Sequence, residues 1–156
     1  MGIFGNIRGI KNIGIIGFSN LIGSGISALF WIYLAGVMGA ENYGELSFYI
    51  SIAGITTSLS FIGGPMAITV LVAKKIEIGS TIHLFSILGS ILAAIILYFA
   101  FINIGLSIYV LGAVIYNLGV SELLGRKFYK KYSLYFILQK ILFVLLSLIL
   151  YYVIGP

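Results

Sequence analysis

Ile91-Leu92-Ala93-Ala94-Ile95-Ile96-Leu97 is apolar at every position, and it lies within residues 78–121, a run of 44 positions without Asp, Glu, Lys or Arg. A transmembrane strand would alternate polar and apolar residues with period two. This stretch is apolar on both faces, as is Leu145-Leu146-Ser147-Leu148-Ile149-Leu150 apart from its serine, so the chain predicts helices and excludes a β-barrel. One helical crossing needs about 20 residues. The 78–121 run is twice that, which predicts a helical hairpin turning at Asn103-Ile104-Gly105, where Asn and Gly favour a turn. Its limbs are spans 3 (Thr81 to Ile102) and 4 (Leu106 to Ser121).

Further charge-free runs lie on either side. Residues 12–40 hold one span at about Ile13 to Val37, and residues 46–73 hold a second. The fifth, Ser133 to Val153, is interrupted only by Lys140. Five spans in 156 residues leave no room for a soluble domain. A composition 61% hydrophobic and 8% charged, with no Asp, has too little charge to cover a water-facing globule. The predicted fold is an all-α integral membrane bundle, a single domain over residues 1–156.

Lys and Arg set the orientation, because they are retained on the cytoplasmic side. Arg8 and Lys11, then Lys74 and Lys75, then Arg126, Lys127, Lys130 and Lys131 fall on one side. The Glu41/Glu45 loop, the Asn103 turn and Gly155-Pro156 carry none. The N-terminus is therefore expected inside and Pro156 outside, in the cytoplasmic membrane. Trp31, Tyr33, Tyr98, Tyr109 and Tyr151-Tyr152 suit the outer interface, and Tyr129, Tyr132 and Tyr135 the inner one. The formal charge of +5 lies in short clusters between apolar runs, which points to anionic lipid headgroups and excludes nucleic acid. The first apolar segment exceeds a signal-peptide core of about 7–15 residues, so it is expected to be a retained anchor. Ahead of it, Ile3, Phe4, Ile7 and Ile10 have helical spacing around Arg8, which fits either a short helix on the inner leaflet or a disordered positive tail.

Catalytic constellations are absent. The chain has no Cys, a single His (His83), no pair of acids within a span and no Gly-rich phosphate loop, so no enzyme, metal or cofactor chemistry is expected. Small residues recur four apart at Ser19, Gly23 and Ser27, and at Ser86, Ser90 and Ala94, spacings that let helix backbones approach closely. Gly63-Gly64-Pro65 falls within span 2, where proline removes a backbone hydrogen bond and predicts a kink, either a moving hinge or a static bend. Lys140 is the one charge inside a span, about 10 Å from its start at Ser133. It either snorkels to the inner headgroups beside Gln139 or faces a wet cavity. Asn20 and Asn117 are intramembrane amides suited to interhelical hydrogen bonds or to a ligand. Glu122 and Arg126, four apart, have the spacing of an ion pair.

The string Ala35-Gly36-Val37-Met38-Gly39-Ala40-Glu41-Asn42-Tyr43-Gly44-Glu45-Leu46-Ser47 resembles the loop between helices 1 and 2 of Wzx-type polysaccharide flippases, in the multidrug/oligosaccharidyl-lipid/polysaccharide superfamily. Phe61-Ile62-Gly63-Gly64-Pro65 is similar to that family's Gly-rich break in helix 2. Leu124-Gly125-Arg126-Lys127-Phe128-Tyr129-Lys130-Lys131-Tyr132, followed by Phe136-Ile137-Leu138-Gln139-Lys140, is similar to its basic approach to helix 5. The likeness covers the first five helices of a family with 12 or 14, so the chain is expected to be an N-terminal portion. Where many members carry an acid before the helix 2 glycine, this sequence has Phe61 and Ile62.

The resemblance implies movement of a polyprenyl-diphosphate-linked oligosaccharide between leaflets, by alternating access between two helical bundles. On that implication Lys140, with Arg126 second, would attract the diphosphate, and Asn20, Asn117 and Gln139 would hydrogen-bond sugar. Five helices do not make a two-bundle pore, so further transmembrane helices or a partner subunit are expected. The alternatives are a cation-coupled multidrug exporter of the same superfamily, which the lack of intramembrane acids disfavours, and a small non-transporting assembly subunit.

Overall fold

The computed structural model describes residues 3–61, 64–76 and 79–154. Among these there is no strand, and the helices are α1 (Ile3–Leu59), α2 (Gly64–Ala73), α3 (Gly79–Phe101), α4 (Ile104–Gly125) and α5 (Tyr129–Ile154). Four stretches are long and apolar enough to cross a membrane: Lys11–Leu59, Thr81–Phe101, Ile104–Gly125 and Tyr129–Val153.

The expected loop between spans 1 and 2 is helical instead. Only Gly39 leaves the helical region, with φ 76 and ψ 168, a conformation open essentially to glycine alone. Ala40, Glu41, Glu45 and Leu46 are good helix formers, so the helix resumes at once. The Asn42 side-chain amide donates to the Met38 carbonyl at 3.2 Å, giving that carbonyl a partner beside the break. Gly39 divides Lys11–Leu59 into two helical parts, about 42 and 30 Å long at 1.5 Å per residue, each long enough for one crossing. The N-terminal segment is neither a separate helix nor a tail, since the helix is continuous from Ile3 to Met38. The side chains of Ile3, Phe4, Ile7, Arg8 and Ile10 lie outside the described set.

Span 2 is likewise corrected. Rather than one kinked helix, it is the end of α1 and then α2, separated by a turn at Ser60 and a bend at Phe61. Ile62 and Gly63 lie outside the described residues. Gly64, at φ 71, opens α2, and Pro65 occupies its first turn, where a missing N–H breaks no helical bond. Proline starts a helix here instead of bending one. The hairpin turn falls on Ile102 and Asn103, and Asn103 caps α4 by accepting from the Leu106 N–H at 3.1 Å. Gly105 is therefore helical. α4 and α5 are longer than expected, because residues 122–125 and 129–132 continue the helical pattern.

The chain divides into two compact units. The first holds residues up to Tyr43 together with Phe128 onward, so it pairs the first part of α1 with α5. Contacts rise in register along both helices. Ser133 donates to the Ile15 carbonyl at 3.4 Å, the Phe30 and Phe143 rings meet edge-on at 5.7 Å, and the Tyr33 and Tyr152 hydroxyls hydrogen-bond. The two helices therefore run parallel.

The second unit, residues 44–127, contains the rest of α1 with α2, α3 and α4. Ala53, Leu97, Leu106 and Val110 form one apolar cluster, and Phe61, Ile68, Val114 and Leu118 another. Ser107 donates to the Ala94 carbonyl at 2.9 Å across the hairpin. The Ser86, Ser90 and Ala94 stripe is buried, so it serves packing. Among the described residues Ser19, Thr57, Ser86, Ser90, Ser107 and Ser121 are buried, while Leu21, Leu29, Leu92, Ile96, Leu145 and Ile149 are exposed.

Candidate functional site

Within the first unit, α1 and α5 approach closely where α1 has no side chain. A Cβ at Gly23 would collide with the Phe136 ring, so glycine is required for the ring to rest against the α1 backbone. Two helical neighbours of Phe136 then form a row on α5, at positions 132, 136 and 140, spaced four apart and thus along one face. The buried Tyr132 ring stacks on Phe136 with centroids 6.0 Å apart and planes 14° apart. Lys140 Nζ sits 5.8 Å from the Phe136 centroid, within reach of a cation–π attraction. At the other end of the row, the Tyr132 hydroxyl donates to Asn20 Oδ1 at 3.3 Å. Amide, phenol, ring and ammonium form one continuous series across the helix pair.

Lys140 stands further into its helix than the sequence suggested. Because α5 begins at Tyr129, the lysine is eleven residues, about 16 Å, from its start, near the middle of a 26-residue helix. It is half-buried, and among the described residues no carboxylate pairs with it. Gln139 is also half-buried, with no hydrogen bond among the described residues, and its neighbouring position turns it about 100° away from Lys140. An ammonium beside an aromatic face, with no carboxylate partner among the described residues, can receive an anion.

The other expected residues lie in the second unit. Arg126 caps α4, and its guanidinium binds Glu122 Oε1 through Nη2 at 2.6 Å and Nε at 2.9 Å. This is the ion pair the spacing predicted, with the Arg126 side chain 58% exposed. Asn117 Nδ2 donates to the Ala113 carbonyl of its own helix at 2.8 Å, which leaves its carbonyl oxygen as the group open to a ligand. Of the proposed break residues, Gly64 and Pro65 form the start of α2, and Gly63 lies outside the described residues. The structure therefore gathers Asn20, Gln139 and Lys140 on one helix pair, while Arg126 and Asn117 belong to a separate unit.

Sequence reasoning missed Tyr132 and Phe136. Tyr132 was assigned to the interfacial belt with Tyr129 and Tyr135; of these, Tyr135 is exposed and Tyr132 is buried against α1. The spacing of Tyr132, Phe136 and Lys140 puts them on one face of a helix, but it does not say which helix that face meets. Among the described residues, no three His, Cys, Asp or Glu side chains gather as a metal site. Comparison with protein-family models, curated proteins and solved structures finds no match to this chain.

Proposed function

We propose that this chain is a multi-pass protein of the cytoplasmic membrane, with its N-terminus inside, that takes part in moving polyprenyl-diphosphate-linked oligosaccharides between leaflets. The membrane part is supported by the inverted distribution of polarity. Hydroxyls are buried and large aliphatic side chains exposed, the arrangement favoured when the solvent is lipid and helices associate through small and polar residues. The transport part rests on one observation, Lys140 near the middle of α5, beside an aromatic face and facing no acid. Keeping a lysine inside a span costs about 2.5–3.5 kcal/mol on insertion scales. An anionic headgroup passing through the span would repay that cost.

In this reading Lys140 attracts the diphosphate, and Asn20 and Gln139 face the sugar from the same helix pair. Arg126 and Asn117 are assigned secondary roles. The pathway is completed by further transmembrane helices, from the same chain or a partner. Replacing Lys140 with Leu is expected to abolish or strongly reduce export of lipid-linked sugar while membrane insertion is unchanged, and Lys140→Arg to restore much of it. Unaltered export in Lys140→Leu removes this residue from the mechanism.

A non-transporting assembly subunit is the second reading. It is favoured by Gly14, Gly17 and Gly25 of α1, which have nothing within 4 Å and leave bare backbone for another helix. Wild-type export in a strain lacking the chain, together with loss of a co-purifying membrane partner, would select it.

A further inference from the structure

We propose that the adjoining C-terminal ends of α2 and α4 form a binding site for the phosphate headgroup of an anionic phospholipid of the inner leaflet. The proposal rests on the membrane reading above and not on the substrate. α2 and α4 run side by side in the same direction. Ile68 packs with Val114 and Leu118, Thr69 Oγ1 donates to the Ser121 carbonyl at 3.2 Å, and Val72 lies against Gly125. A Cβ at Gly125 would stand 2.8 Å from the Thr69 carbonyl oxygen, so glycine brings the two helix ends together.

Within three residues of that contact the chain places Lys74 and Lys75 beyond α2, and Arg126 and Lys127 beyond α4, all four exposed. Lys75 and Lys127 are the left-handed residues that close each helix, with φ 56 and φ 62. The Lys75 N–H donates to the Val72 carbonyl and the Ile76 N–H to the Leu71 carbonyl, both at 3.1 Å, a Schellman closure; the Lys127 N–H donates to the Leu124 carbonyl at 3.0 Å. Glycine is the residue this position favours. Two neighbouring helices carry lysine there instead, so each adjoining helix end holds a cation at its closing residue.

The charge is not cancelled locally. Glu122 is engaged by Arg126, and even counting Glu77, which lies outside the described residues, the segments hold four cations to two acids. Ile76 is exposed directly beside Lys75, so an apolar side chain accompanies the charges as an acyl chain accompanies a phosphate. That combination matches a lipid headgroup better than free phosphate.

The test uses the full chain purified in detergent and offered equal amounts of phosphatidylglycerol and phosphatidylcholine, with bound lipid counted by native mass spectrometry. Lys75→Gly/Lys127→Gly is expected to keep or raise the thermal midpoint in phosphatidylcholine micelles, since glycine suits both caps, yet to lower the phosphatidylglycerol preference about 30-fold. Lys130→Gln/Lys131→Gln, on α5, is expected to leave the preference unchanged. An unchanged preference in the glycine variant, or an equal loss in the Lys130/Lys131 variant, overturns the site. Inorganic phosphate raising the thermal midpoint as much as phosphatidylglycerol does overturns a lipid as its occupant. Alkaline carbonate extraction separates the two levels: a chain that resists extraction but shows no phosphatidylglycerol preference refutes this site alone, whereas an extracted chain refutes the membrane reading.

Discussion

At position 23 what matters is a missing side chain. The Phe136 ring occupies the space a Cβ would fill, and through that ring the row from Asn20 to Lys140 is held together. Gly23→Leu is therefore expected to force the helices apart and destabilise the pair by about 1–3 kcal/mol, measured by unfolding in detergent. Tyr132→Phe removes only the hydroxyl that binds Asn20 and is expected to cost about 0.6 kcal/mol, the average for such bonds between membrane helices. A cost equal to that of Gly23→Leu would show that the hydrogen bond, and not the ring packing, holds the site. Asn20 and Lys140 were legible in the sequence because polar groups stand out in an apolar run. Tyr132 and Phe136 were not, since their role depends on which helix packs against α5, and that partner lies more than a hundred residues away.

Among the elements, the two breaks near the start of the chain behave differently. Gly39 holds a backbone conformation that a Cβ forbids, whereas Pro65 sits where its missing N–H breaks no helical bond. Gly39→Ala is expected to cost about 1–3 kcal/mol or to straighten α1. Pro65→Ala, by contrast, is expected to change stability by less than about 1 kcal/mol, against about 3 kcal/mol for relieving a mid-helix proline. Thermal unfolding of the two variants side by side checks this, and a large effect at Pro65 would restore the kink. Charge-free runs coincide with the apolar helices because ionised groups are what a lipid-facing helix excludes, but they did not show that the run 46–73 is split between the end of α1 and α2. Asn103 was legible as a turn residue and proved to be a cap. Gly39 was not distinguishable from Gly36 or Gly44, since a positive φ leaves no trace in composition, and the break at Ser60 and Phe61 depended on packing that one sequence does not display.

For the whole molecule, orientation is the property most open to direct measurement. The chain has no native Cys, so a single cysteine at Asn42 or at Lys130 reports unambiguously. An impermeant thiol reagent applied to intact cells is expected to label position 42 and spare position 130. Labelling at 130 would reverse the proposed topology. In the proposed topology the first and fifth crossings run in the same sense, as the first part of α1 and α5 do. The pairing of α1 with α5 has a consequence for biosynthesis. One unit is continuous in sequence and the other is assembled from segments on either side of it. At about 5–20 residues per second, α1 waits several seconds or longer after its synthesis for α5 to emerge. During that interval Asn20 lacks its phenol partner and Gly23 its ring, while Ser107 already has its carbonyl. A nascent chain stalled near Lys127 would thus display an amide and a glycine groove that the finished chain conceals, which is the kind of exposed polarity that membrane chaperones and proteases can recognise.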